Sequence, residues 1–293
     1  MKEENFISVI SYIDDLNTEI NDILKKITLF LEDNFKYYEI IIAVDNSSSK
    51  KKEELSEIIR KEKLSATVSV IYLENKFGED KSLSAAIDLS IGDYIVEAKN
   101  IERLRDTDTI FSLYKECLNG NDACILVPEK TSLFEKIYYR VIKKHCYMKY
   151  DNYRENGIIT VVSRRMINRM GALKKQITNK WLFYKMSGLP CKYIKKDTKR
   201  NKHSIQNLNN AINTILIFTN LPISILTGIE VVLSVLLIVN IVLSKWWISI
   251  SLFSLIVLNM SLLIIIKKQA LSLEYLWTDS SYQFGSIEKF SKE

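Results

Sequence analysis

Two apolar runs limit what this chain can fold into. "ISILTGIEVVLSVLLIVNIVL" (223–243) is 21 residues with one charge, and "ISISLFSLIVLNMSLLIII" (248–266) is 19 with none. A helix rises about 1.5 Å per residue, so each run is long enough to cross roughly 30 Å of hydrocarbon. Only "SKWW" (244–247) joins them, and Trp246 and Trp247 suit a water–lipid boundary. Basic residues gather at the other ends: Lys192, Lys195, Lys196, Lys199, Arg200 and Lys202 before the runs, Lys267 and Lys268 after them. The positive-inside rule therefore predicts a two-span hairpin in the cell membrane, with the preceding domain and the following tail cytoplasmic. The competing reading is a buried helical hairpin in a soluble protein. Glu230 lies inside the first run, where a carboxylate is costly; it is either a protonated passenger or faces another subunit.

Charge is dense up to about Lys202, so the hairpin is attached to a domain of ordinary polar surface. Hydrophobic residues are 47% of the whole and charged residues 26%, a balance that permits a packed core. A formal charge of +6 over 293 residues is modest, and no basic stripe interleaved with aromatics points to nucleic acid. Cys117, Cys124, Cys146 and Cys191 lack metal-ligand spacing and read as free thiols in a reducing compartment. His145 and His203 are too few and too far apart for a histidine metal site. The opening "MKEENFISVISYIDD" lacks a signal-peptide core, so the first half is expected to stay on the side where it is made.

Between residues 6 and 128, short apolar runs alternate with helical patterns. The runs are "FISVIS" (6–11), "EIIIAVD" (39–45), "TVSVIYL" (67–73), "DYIVEA" (93–98) and "ACILVP" (123–128). Helical stretches over 17–35, 51–62, 80–90 and 107–118 separate them. This pattern predicts an α/β domain with a mostly parallel sheet covered on both faces. "TSLFEKIYYRVIKKHCYMKY" (131–150) reads as a basic-aromatic amphipathic helix that lays one face on the core or rests on a membrane surface. In "SIQNLNNAINTILIFTNLPI" (204–223), Ile205, Leu208, Ile212, Ile215, Leu216 and Thr219 share one face, a stronger surface candidate. The predicted layout is an α/β domain over 1–203, an interfacial helix over 204–222, the hairpin over 223–266 and a tail over 267–293.

Several segments fall in a telling order: "SVISYIDDLNTEI", "EIIIAVDNSSSK", "NKFGEDKSLSAAIDLSIGDYIV", "VVSRRMINRM" and "KRNKHSIQNLNNAINTILIFTNLPI", then the two apolar runs. Together they resemble the family-2 glycosyltransferases of the polyprenyl-phosphate type, such as dolichol-phosphate mannose synthases and bactoprenol glucosyltransferases. The resemblance covers almost the whole chain. It implies a nucleotide-sugar-transferase-like domain of GT-A type, holding a nucleotide-sugar at the carboxyl ends of the strands. It also implies transfer of the sugar to a lipid phosphate, polyprenyl phosphate, at the membrane surface. It assigns the nucleoside to the first two turns, here Ser11, Tyr12, Asp14, Asp15 and Asp45. Those aspartates equally suit solvating strand ends or capping helices. It places Arg164, Arg165, Lys199, Arg200 and Lys202 toward a lipid phosphate, charges that also serve topology and attraction to anionic lipid. Lys81, in "GEDKSL" at a helix start, is a phosphate contact or a plain surface lysine.

One stretch departs from the family. Its members follow Gly-Asp-Tyr with a strand ending in Asp-x-Asp, which holds Mg²⁺ or Mn²⁺ against the donor diphosphate. In "GDYIVEAKNIERLRD" that pair falls on Lys99 and Ile101, and a one-residue slip offers only Ala98, Asn100 and Glu102. The family's acceptor-side aspartate falls among Ile158, Ile159 and Thr160, with Glu155 the nearest carboxylate. Three explanations compete. Catalysis is lost, leaving a partner subunit for an active transferase or polysaccharide machinery; or Lys99 supplies positive charge for metal-free transfer; or Glu102, Asp106 or Asp108 rebuild a metal site. The first is the expectation, with Lys99 and Ile101 as degenerate positions, Glu102 and Glu155 as substitutes, and no metal or other cofactor unless the third holds. A lipid-phosphate-binding membrane scaffold is the reading from another class. A homo-oligomer through the hairpin, at Glu230, is the other partnership considered.

Overall fold

A computed structural model describes residues 2–13, 19–44, 49–61, 67–74, 78–130, 133–145, 157–172, 184, 187–197, 211–212, 214–215, 221–243, 246–276 and 284–290. Among these, eight strands form one sheet: β1 (Ile7–Ile13), β2 (Tyr38–Val44), β3 (Thr67–Leu73), β4 (Tyr94–Ala98), β5 (Ala123–Pro128), β6 (Ile159–Ser163), β7 (Cys191–Lys196) and β8 (Phe284–Phe290). Their order is β7-β5-β6-β4-β1-β2-β3-β8. The β1–β2, β1–β4, β2–β3 and β5–β7 pairs are parallel; β4–β6, β5–β6 and β3–β8 are antiparallel. Among the described residues, the helices of the domain with a continuous span are α1 (Ile20–Asn34), α2 (Ser49–Lys61), α3 (Glu79–Leu89), α4 (Thr107–Leu118), α5 (Leu133–His145) and α6 (Arg164–Ala172). This is the mostly parallel α/β sheet that the alternating runs predict.

Alternate side chains on each strand point to opposite faces, and both faces are covered. Ile7, Val9 and Ile13 share a core with Ile23 and Ile27 of α1 and Ile110 of α4. Ile10, Ile41 and Ile71 share the other with Ala85 of α3, Tyr138 of α5 and Met166 of α6. Burial on both sides is why these strands read as unbroken apolar runs.

The amino edge of the sheet is closed by a polar joint. The Ser8 hydroxyl donates to the Glu39 carboxylate and accepts from the Gly92 N–H at 2.8 Å. Arg164 donates from Nε to the Gly92 carbonyl at 3.0 Å and from a terminal nitrogen to the Ser90 carbonyl at 2.8 Å. Next to it, buried Asp122 accepts from the Ser163 hydroxyl at 2.6 Å and from Arg165 through two nitrogens. Burial acts to raise the Asp122 pKa, but the Arg165 and Ser163 hydrogen bonds and the Arg165 charge outweigh it and hold the carboxyl below its ordinary range. A carboxylate depressed by folding adds stability above its unfolded pKa of about 3.9, and loses it as pH falls through the lower folded value. Asp122→Asn is therefore expected to be less stable than the parent near neutral pH and to converge with it in acid. Unfolding followed by circular dichroism across that range checks this.

Two further helices, α7 (Leu221–Val242) and α8 (Trp246–Leu276), are long and apolar enough to cross a membrane over Leu221–Val242 and Trp246–Ile266. No residue of α7 is buried within the protein, so the hairpin is not the hidden core of a soluble fold. The two helices meet at a polar contact. Asn259 donates its two amide hydrogens to the Glu230 carboxyl at 2.7 Å and the Leu226 carbonyl at 3.1 Å. Glu230 thus has a partner on the second helix of its own chain, an arrangement that neither sequence reading of this residue included. If both helices cross a bilayer, Asn259→Leu is expected to weaken the α7–α8 pairing by about 1 kcal/mol, the usual scale of such bonds in lipid. Disulfide-trapping equilibria between cysteines placed on the two helices measure it.

α8 continues past the apolar stretch for ten residues, and the chain then adds β8 to the free edge of β3. The stretch 267–293, read from sequence only as a tail, thus supplies an edge strand. With two helices between them, β3 and β8 start and finish on the same side of any bilayer that both helices cross.

Candidate donor site at the carboxyl edge

In an open α/β sheet, ligands bind beyond the carboxyl ends of the parallel strands. Here that edge is formed by the end of β1, the residues after β4, the chain entering β6 and the start of α3. Gly78 leads into α3 with a φ of 85°, a left-handed conformation that glycine adopts without strain. The Lys99 N–H donates to the Ile158 carbonyl at 3.3 Å, tying the exit of β4 to the approach of β6.

Ser11 and Tyr12 stand at the carboxyl end of β1 as the resemblance implies, but both are buried. The Ser11 hydroxyl donates to the Ala98 carbonyl at 3.2 Å and so stitches β1 to the end of β4. Asp14, Asp15, Asp45, Glu155, Lys199, Arg200 and Lys202 lie outside the described residues. Arg164 and Arg165, expected near a lipid phosphate, stand in the joint at the opposite, amino edge, with donors directed to Ser90, Gly92 and Asp122. The length of β4, about 13 Å, separates that joint from Lys99.

Positions 99 to 101 have a clear geometry. Ile101 opens a short 3-10 turn over Ile101–Arg105 and is 4% exposed, packed with Leu104 into the core beneath α1. Its side chain belongs to the hydrophobic interior. The Lys99 ammonium lies 3.8 Å from the Glu79 carboxylate at the start of α3. Asn100, between Lys99 and Ile101 in sequence, has a buried amide oxygen with no hydrogen-bond partner among the described residues. Glu102 is exposed on the 3-10 turn. Asp106 caps α4 by accepting from the Thr109 N–H and pairs with Lys196 at 2.6 Å, and these bonds outweigh burial to hold its carboxyl below the ordinary range. One neutral oxygen flanked by an ammonium and an aliphatic side chain does not fit a divalent cation, which requires several negative or carbonyl oxygens. Among the described residues, no three His, Cys, Asp or Glu side chains converge as a metal site.

Glu97 is the residue that sequence reasoning missed. It sits in β4 at 2% exposure, in register with Ile10 on β1 and Thr160 on β6. Across from it the Thr160 hydroxyl is buried with no hydrogen-bond partner among the described residues. Burial first, then the nearby Glu97 carboxylate, Cys191 and Tyr193, push the buried Tyr184 phenol well above its usual range. A glutamate inside "DYIVEA" was the available signal, since such a strand is otherwise apolar. Cys117, Cys124 and Cys191 carry no disulfide, and Cys146 lies outside the described residues.

No protein-family model matches the chain, and no curated protein matches it in sequence. Solved glycosyltransferases resemble it in structure. A mannosyltransferase of Pyrobaculum calidifontis, in complex with GDP-mannose and Mn²⁺, aligns at 12% identity and a TM-score of 0.49, covering 74% of this chain and 63% of that one. Glucosyl-3-phosphoglycerate synthase of Mycobacterium tuberculosis, in complex with Mn²⁺, UDP and phosphoglyceric acid, aligns at 11% and 0.48, covering 72% and 76%. Mannosyl-3-phosphoglycerate synthase of Rubrobacter xylanophilus aligns at 11% and 0.48, covering 72% of both chains. Likeness this distant says nothing of substrate or metal in this chain.

Proposed function

We propose that this chain is a membrane-anchored glycosyltransferase-like subunit, of the family-2 kind, that has lost metal-dependent sugar transfer. It acts beside an active transferase or polysaccharide machinery in cell-surface polysaccharide or glycolipid assembly, with its domain on the cytoplasmic face. The observation that carries this reading is the pair of positions after β4. Ile101 is packed in the core and Lys99 faces Glu79, where the resembled family holds its cation. The segment order along the sequence and the two long apolar helices support the family and the anchor. Lys99 as a substitute for the metal finds less support, because Glu79 already offsets its single charge.

Calorimetry of the full chain with UDP- and GDP-sugars, with and without Mn²⁺, combined with a transfer assay to polyprenyl phosphate, tests this. The expected result is no transfer and no effect of Mn²⁺ on binding. Affinity raised by Mn²⁺, or metal-dependent product, would overturn it. Transfer without metal would establish the alternative, an active enzyme with an atypical site.

A further inference from the structure

The hairpin carries a carboxyl group whose contacts are incomplete. Glu230 is the tenth of the 22 residues of α7, so it stands about 13 Å and 18 Å along the helix from its two ends. Asn259 occupies one of its carboxyl oxygens at 2.7 Å. The other oxygen makes no hydrogen bond among the described residues, and Glu230 stays partly exposed while Asn259 is buried. A polar atom left unbonded in hydrocarbon is far more costly than one left in water.

The surroundings of that oxygen are asymmetric. On α7, Leu226, Glu230, Leu233, Leu237 and Asn240 are partly covered and recur at the alternating four-three spacing of a helix seam, here against α8. Glu230 stands at one margin of this seam. Ser234, Thr227 and Val231 follow beyond it, about 40°, 60° and 100° round the helix. Thr227 is exposed and Val231 is 58% exposed. The opposite margin carries the larger Ile229 and Leu236, 45% and 44% exposed. Thr227 and Ser234 donate their hydroxyl hydrogens to the Ile223 and Glu230 carbonyls, each at 2.8 Å, which leaves lone pairs on both oxygens as acceptors. Small side chains of this kind let a second helix approach closely, the usual condition for pairing in lipid.

We propose that a second copy of this chain packs against this margin of α7, the two Glu230 carboxyls meeting across a twofold axis along the membrane normal. Two copies of one topology carry Glu230 at the same depth. A protonated carboxyl both donates and accepts, so the contact is self-complementary and each copy supplies what the other's open oxygen lacks. A different membrane protein would need its own polar group at that depth; a second copy has one by construction. The contact continues the α7–α8 seam, with Glu230 at the junction of the intrachain and interchain surfaces. The proposal rests on both helices crossing the bilayer, as in the function proposed above, and its test separates the two.

The full chain, with Cys146→Ser and Cys191→Ser, is reconstituted in phosphatidylcholine vesicles, and single cysteines in α7 are oxidised with copper phenanthroline. Val231→Cys is expected to form a covalent dimer severalfold faster than Leu236→Cys on the opposite margin. Ser234→Leu, which leaves Glu230 bonded to Asn259 but fills the margin, should bring the Val231→Cys rate down to the Leu236→Cys level, and Glu230→Leu should do the same. Glu230→Gln, which keeps a donor and an acceptor, should retain most of the rate. Equal rates at the two margins would overturn the proposal, as would a Val231→Cys rate that Ser234→Leu leaves unchanged. So would an adduct of Val231→Cys with a different protein in native membranes and none with itself. Spanning is read separately: Trp246→Cys, at the start of α8, and Leu118→Cys, in the α/β domain, should react with a membrane-impermeant maleimide from opposite sides of sealed vesicles. Reaction from the same side would instead refute the spanning of the hairpin.

Discussion

Ile101→Asp is expected to unfold the domain under conditions that Lys99→Asp survives. Ile101 lies in the core with Leu104, so an aspartate there would leave a cavity and bury a carboxylate without a partner. Losing a buried aliphatic side chain costs about 2–5 kcal/mol before any charge is counted, a large part of a typical domain's stability. Lys99 is partly exposed, and its replacement places a carboxylate near Glu79, a milder repulsion at a solvated edge. Denaturant unfolding of the two single variants checks the contrast, with equal midpoints as the result against it. The consequence for function is practical. Restoring both acids at once cannot test whether the rest of the site is competent, because a silent double variant would report a lost fold.

A loss of similar size is expected for Gly92→Ala at the other edge. A Cβ there would stand 2.6 Å from both the Ser8 amide nitrogen and its hydroxyl, and 2.9 Å from the Phe6 carbonyl. Two of those atoms are backbone, so relief requires moving β1 against β4 and breaking the Gly92–Ser8 bond. Overpacking of this kind costs about 3 kcal/mol. Gly171 in α6 has nothing within 4 Å of the same added carbon, and Gly171→Ala should be neutral or stabilise by up to about 1 kcal/mol through helix propensity. Thermal melts of both variants, set against the parent, decide the matter.

The strands between residues 7 and 128 were legible because each is buried on both faces, and burial writes itself as an apolar run. β7 and β8, "CKYIKK" and "FGSIEKF", escaped for the same reason in reverse: they lie at the ends of the sheet and keep charged residues. The site was legible only in part. Segment order pointed to the carboxyl edge, yet could not tell chemical residues from structural ones. Gly-Asp-Tyr and Ser-Arg-Arg, which contributed to the family resemblance, meet in the amino-edge joint, where Arg164 and Asp122 hold strands together. That positions 99 and 101 carry no carboxylate was visible in the residue types. That Ile101 faces inward, that Glu97 is buried beside Thr160, and that Glu230 finds Asn259 depend on side-chain directions that spacing alone does not give.

The β3–β8 pairing also imposes a timetable. Every other strand leaves the ribosome before the hairpin, whereas β8 follows it. Until β8 has been made and has paired, β3 offers a bare row of amide and carbonyl groups to any passing chain. Slow passage of the hairpin would lengthen that exposure, so the sealing of the sheet edge is the last step of this domain's maturation.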